Sequence, residues 1–261
     1  MPKTPAPEPS AASALFAHVG RLQGDRPWGS VLDAGTGVNS MQWVLGLETD
    51  RWTAVTGSAD HGAQVRDSLE GRDRPQDRLL LGNWMDGALL KGEVFDTVLA
   101  DYLLGAVEGF APYFQQDLFR RLRPHVGGRL YLVGLDPYVL GQPATPAEAM
   151  AREIGRLRDV CLLLAGETPY REYPAEWAVT RLEADGYRVL SARRFPNRYK
   201  ARWINSQLDM AARRAGRIGD PALAAALEGR IGALREEALG LSRAENGLRA
   251  GADWVIAAEP V

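Results

Sequence analysis

From residue 30 onward, short apolar runs of strand length alternate with longer stretches of helical spacing, and this alternation restricts the fold more tightly than any other feature of the chain. A strand followed by a helix reaches a parallel neighbour by crossing over the sheet, so the pattern predicts an α/β fold whose mostly parallel sheet carries helices on both faces. Strands are expected over 30–33, 53–56, 78–81, 97–100, 129–135, 187–193 and 254–258. Between the fifth and sixth, residues 146–166 set Ile154, Leu157, Cys161 and Leu164 along one helical face, and 175–184 form a shorter helix ended by Asp185-Gly186. Ahead of the sheet, Leu15, Phe16, Val19 and Leu22 have helical spacing over 11–22, a helix expected to lie on the body of the domain.

The alternation breaks over 205–248, which is helical in pattern except at Gly219-Asp220-Pro221, where Asp220 can cap and Pro221 can open the next helix. This reads as a helical hairpin inserted before the last strand. Its second arm spaces Leu227, Ile231, Leu234, Ala238 and Leu241 by alternating fours and threes, an apolar seam that either packs on the first arm or joins two copies as a homodimer. Packing within the chain is the default, because the run is too short to define a coiled coil.

At 261 residues the chain has room for one large α/β domain, expected over 11–261 with the insertion included, behind a proline-rich disordered tail over 1–10. Apolar residues at 46% and a formal net charge of -2 give no basic footprint for nucleic acid. No apolar run reaches membrane-spanning length, and the lone Cys161 lies in an apolar stretch as a buried, inert thiol. A cytoplasmic protein without membrane association is expected. His18, His61 and His125 are scattered without ligand spacing, so no metal is expected, and His125, in the turn before the fifth strand, reads as a surface residue.

The chemistry concentrates in Val31-Leu32-Asp33-Ala34-Gly35-Thr36-Gly37-Val38-Asn39-Ser40, an apolar strand entering a glycine-rich turn ahead of a helix expected over 41–47. Gly35 and Gly37 allow close backbone approach to a ligand. Ser40 stands where a dinucleotide fingerprint has its third glycine, so the turn alone is weak evidence. Asp33 decides between ligands: a carboxylate two residues before the first glycine can meet the ammonium of a bound amino acid, which S-adenosylmethionine has and nicotinamide cofactors lack.

VLDAGTG resembles the first motif of the class I S-adenosylmethionine-dependent methyltransferase superfamily. Phe95-Asp96-Thr97-Val98-Leu99-Ala100-Asp101 is similar to that family's fourth strand, Leu122 to Leu130 to its turn into strand five, Gly186-Tyr187-Arg188-Val189 to the entry to strand six, and Ala252 to Ala258 to strand seven. The resemblance covers residues 28–200 and 251–259. It implies a Rossmann-like seven-stranded sheet whose antiparallel last strand inserts between strands five and six. It also implies S-adenosylmethionine as cofactor, with Asp33, Gly35, Thr36, Gly37 and Ser40 around its methionine part and Asp101 near its amino group.

Two departures stand out. The family has an acidic residue at the end of strand two to hold the ribose, where this chain offers Ser58 or a shifted Asp60. After strand three it often has an acidic residue for the adenine amine, where this chain has Asn83, followed by Trp84, which either stacks on the ring or serves as a core aromatic.

Methyl transfer needs alignment, exclusion of water and sometimes removal of a proton. Strand ends supply Asp101-Tyr102 and Asp136-Pro137-Tyr138, with Tyr102 or Tyr138 to orient a small-molecule acceptor and Asp136 as a base; Tyr170-Arg171-Glu172-Tyr173 offers a third group. Each tyrosine has the plainer reading of a half-buried ring with its hydroxyl in water. The basic run Arg193, Arg194, Arg198, Lys200 and Arg202 reads as a solvated strand edge before it reads as an anion site. The function expected is transfer of a methyl group to a small molecule. Alternatives are another use of the same cofactor (alkyl transfer or intramolecular cyclisation), a nicotinamide-dependent oxidoreductase, or a non-catalytic cofactor-binding module.

Overall fold

Strands β1 (Ser30–Asp33), β2 (Arg51–Thr56), β3 (Arg78–Leu81), β4 (Phe95–Asp101), β5 (Val126–Leu135), β6 (Tyr187–Tyr199) and β7 (Leu248–Pro260) form one sheet in a computed structural model that describes residues 11–261. The tail expected over 1–10 lies outside the described residues. Spatial order is β3-β2-β1-β4-β5-β7-β6, with β7 antiparallel to both neighbours and the β1–β5 pairs parallel. This is the expected Rossmann-like sheet with its reversed last strand.

Two-residue periodicity divides the core. Leu32, Val98, Leu130, Leu132 and Ile256 point to one face, covered by α5 (Gln115–Leu122) and α7 (Ala175–Ala184). Their chain neighbours Val31, Leu99, Tyr131, Val133 and Val255 point to the other, covered by α1 (Ala11–Gln23), α2 (Val38–Val44) and α3 (Ala59–Leu69). The shortest helix, α4 (Leu103–Ala106), follows β4 directly.

A third core lies beyond the carboxyl ends of β5 and β6. There α6 (Pro146–Leu164), α8 (Ala201–Ala215) and α9 (Pro221–Ala244) bury Ile154, Cys161, Ile204, Leu208, Ile231, Leu234 and Ala238 together with Tyr199 and Leu248. The seam of α9 therefore packs against α6 and α8 of its own chain. Each fully buried Ile or Leu there contributes about 1.5–3 kcal/mol. Thr145 caps α6 through the Glu148 amide and Asp220 caps α9 through the Ala222 and Leu223 amides, each ahead of a first-turn proline.

The structure corrects several expectations. The insertion runs from Ala201 to Ala244 instead of 205–248, because β6 and β7 continue as a paired ribbon to Arg198↔Arg249 and Tyr199↔Leu248. Helix α2 starts at Val38, three residues ahead of expectation: Gly37 is its N-cap, and the Ser40 hydroxyl accepts the Gly37 amide at 3.1 Å. His125 is 2% exposed, not a surface residue; its Nδ1 lies 2.8 Å from the Glu93 carbonyl and its Nε2 2.5 Å from the Arg121 guanidinium, and burial lowers its pKa. Arg193, Arg194 and Arg198 are exposed on the edge strand β6, as its plainer reading has it. Among the described residues, no helix is long and apolar enough to cross a membrane.

Candidate functional site

The glycine turn is fixed by the sheet. The Ala34 amide donates to Leu99 O and the Thr36 amide to Val55 O, both at 2.8 Å, while the Trp84 indole donates to Ala34 O at 2.6 Å. A Cβ on Gly35 would meet the Leu103 side chain at 3.0 Å, so this glycine lets α4 close over the turn. Asp33, fully buried at the end of β1, accepts the Ser40 hydroxyl on Oδ2 at 2.7 Å. Its Oδ1 has no hydrogen-bond partner, and neither has the buried Thr36 hydroxyl. Burial pushes the Asp33 carboxyl up to about 6; Ser40, Thr36 and the Gly35 amide temper the rise, although neither of the last two closes a bond on Oδ1. An enclosed, half-satisfied carboxylate costs free energy unless a cation completes it.

Asp101 ends β4 beside this turn. Burial, then the charges of Asp33 and Asp253, push its carboxyl up to about 8, and among the described residues no side chain or amide donates to it. Tyr102, at φ 50, takes a left-handed turn that costs about 1–2 kcal/mol in a non-glycine residue. Its amide donates to Val133 O at 2.9 Å, which ties the turn to β5.

A cleft opens beside Gly35 and Thr36. Thr56, Gly57, His61 and Asn83 supply its polar wall, and Trp84, Phe110 and Tyr170 its rings. The Phe110 ring lies over Gly57, where a Cβ would come within 2.9 Å of it. This joins the segment after α4 to the end of β2.

Asp33, Gly35, Thr36, Gly37, Ser40, Asp101 and Tyr102 thus gather at one end of the sheet. Ser58 does not line the cleft: its hydroxyl caps α3 by accepting the His61 amide at 3.3 Å, and the cleft is lined at that point by His61 itself. Asn83 lines it with both polar ends engaged, donating to Phe110 O and accepting the Met85 amide. Trp84 is 3% exposed with its indole N–H committed to Ala34, so its burial is that of a core aromatic with one edge on the cleft.

Asp136 is not a free base. Arg194 grips it at 2.6 Å, and the Ala175 amide donates to it at 3.3 Å. Tyr138 does not leave its hydroxyl to water; the hydroxyl accepts Arg158 Nη1 at 3.0 Å, and burial raises its pKa. Sequence reasoning assigned no role to Asp253, Tyr199, Arg158 or Phe110, and named Glu172 only within its loop. Asp253, 6% exposed, accepts Asn197 Nδ2 at 3.1 Å. A charged residue at an inward position of an otherwise apolar strand was the available signal for it.

No family model and no curated protein matches the sequence. Solved structures do match in fold. A candidate methyltransferase from Bacillus halodurans C-125 superposes with a TM-score of 0.62 at 14% identity, over 95% of this chain and 100% of that one. A cyclopropane synthase from Mycobacterium tuberculosis gives 0.56 at 19% identity, over 96% and 86%. A coclaurine N-methyltransferase bound to N-methylheliamine and S-adenosylhomocysteine gives 0.53 at 14% identity, over 97% and 74%. The chain has the fold of the class I S-adenosylmethionine-dependent methyltransferases.

Proposed function

We propose that the protein is an S-adenosylmethionine-dependent methyltransferase acting on a small-molecule acceptor. The observation that carries this reading is the Asp33 Oδ1, buried without a partner at the glycine turn, with the unpartnered Thr36 hydroxyl beside it and Asp101 next along the sheet. A cofactor with an amino-acid ammonium fits that donor set: Asp33 and Asp101 would take the ammonium, Thr36 a further polar contact, and the cleft walled by Thr56, His61 and Asn83 the nucleoside. A pyridine dinucleotide has no amino-acid ammonium to donate hydrogen bonds to these carboxylates.

Bound there, S-adenosylmethionine would supply an electrophilic methyl group carried on a sulfonium. The chain supplies the rest. Asp33 and Asp101 would hold the charged end, α4 and Phe110 would cover the cleft, and Tyr102, in its left-handed turn just after β4, is the side chain proposed to orient the acceptor. The cyclopropane synthase among the similar folds is named for a ring product that gains the same CH2 as a methylated acceptor, so the NMR spectrum of the product is the deciding measurement. Calorimetric titration should show S-adenosylhomocysteine binding and NAD not binding, with Asp33→Ala weakening the former. Methyl transfer should add a net CH2 to the acceptor together with a new methyl resonance and no cyclopropane resonances. NAD binding in place of S-adenosylhomocysteine would overturn the reading.

A further inference from the structure

Helix α1 is held along its length by two different means. At its carboxyl end Gln23 accepts the Tyr131 hydroxyl on Oε1 at 2.6 Å and donates from Nε2 to Pro27 O at 2.8 Å, and Arg129 donates to Leu22 O. Gly24 then turns the chain at φ 60. Ahead of that anchor the helix is docked by side-chain packing: Leu15, Phe16 and Val19 enter the core, and Phe16 stacks on Trp43 of α2 at 4.8 Å. His18 lies among them, 7% exposed, with its ring inclined to that of Phe195 on β6 at 5.2 Å.

Both His18 ring nitrogens are closed off from solvent, and neither has a hydrogen-bond partner. Buried polar atoms are nearly always paired, and an imidazole enclosed in this way is tolerated only while it is uncharged. Its charged neighbours are both cations. Arg193 of β6 lies over the same Phe195 ring, with its guanidinium carbon 5.0 Å from the centroid, and Arg21 stands one turn further along α1. Among the described residues no carboxylate of α2, β5, β6 or β7 acts on the ring; burial, then Arg193 and Arg21, lower its pKa.

We propose that His18 is an acid-sensitive catch: binding a proton undocks α1 from β6 and β7, and the helix swings out about Gly24 while its carboxyl end stays tied to β5. An undocked His18 meets water and takes its proton with the ordinary affinity near 6.5, whereas the docked ring resists it, so the proton favours the open helix. Docking is therefore strongest above 6.5 and weakens as pH falls below it. With the docked ring neutral down to pH 5.5, the open fraction rises about tenfold from pH 7.5 to 5.5. Opening uncovers Phe16, Trp43 and the apolar face of β7 at Val255 and Ala257. The inference stands apart from the methyltransferase reading.

Amide hydrogen exchange of the full chain, corrected for intrinsic rates, reads the opening residue by residue. Protection of the amides over residues 15–21 should fall about tenfold between pH 7.5 and 5.5, with Leu130 and Leu132 of β5 better protected throughout. His18→Phe, which keeps a ring against Phe195 and binds no proton, should hold α1 protection within about twofold over the same range. His18→Leu provides the same comparison if phenylalanine does not pack. The His18 ring resonances of the parent should titrate below 6.5. A ring titrating at 6.5, α1 protection independent of pH in the parent, an equal loss in the His18 variants, or α1 exchanging only together with β5 would each overturn the proposal.

Discussion

Asp33→Asn should move stability and ligand affinity in opposite directions. The unfolded chain gives up this proton near 3.8 and the ligand-free fold near 6, so between those values the folded state holds the extra proton and stability falls as pH rises, levelling above about 6. A rise from 3.8 to about 6, at about 1.36 kcal/mol per pH unit, costs the folded state up to about 3 kcal/mol at neutral pH. Asparagine removes that cost and can still accept the Ser40 hydroxyl. At pH 8 the ligand-free variant should therefore melt about 6–12 °C higher than the parent, and the difference should vanish near pH 4. The same substitution deletes a charged hydrogen bond to the cofactor ammonium, worth about 1.5–3 kcal/mol, so S-adenosylhomocysteine should bind about 10- to 150-fold more weakly. Differential scanning fluorimetry across pH and calorimetry at pH 8 measure the two arms. A variant that melts lower than the parent at pH 8, or binds S-adenosylhomocysteine equally well, would refute the account of Asp33 as a charge waiting for a cation.

Asp101, held near 8 in the ligand-free fold, should ionise when an ammonium arrives, so cofactor binding at pH 7 should release about one proton. Calorimetry in buffers of different ionisation enthalpy reads this directly, and buffer-independent heats would contradict it. Gly134→Ala should destabilise the protein by about 1–3 kcal/mol in urea melts, because the added methyl overlaps the Trp254 indole, which is 1% exposed and packed in the sheet. That indole donates to Tyr173 O at 3.1 Å, so the same variant should also loosen the loop before α7, seen as faster amide hydrogen exchange there.

The sheet was legible because each strand carries its own evidence: apolar alternation and flanking turns are local, and β1 and β3 match their expected ends. The ends of β6 and β7 were not, since residues 194–199 alternate exposed arginines with inward rings and an asparagine, and only their partner strand makes them strand. In the site, Asp33 stood out because its meaning depends on two glycines next to it in the chain. Asp253 meets its partner Asn197 only across two strands, and nothing near either of them in sequence says so. Asp136 shows the reverse error: a carboxylate just past a strand end looks free until Arg194, far along the chain, is folded against it.

The two ends of the segment carrying α8 and α9 leave and re-enter the sheet side by side, at Tyr199 and Leu248 of the same ribbon. A graft between those two points requires no rethreading of any strand and leaves the Asp33 turn untouched. Exchanging the segment is therefore a change that the seven-stranded sheet can accept without altering its order or its registers.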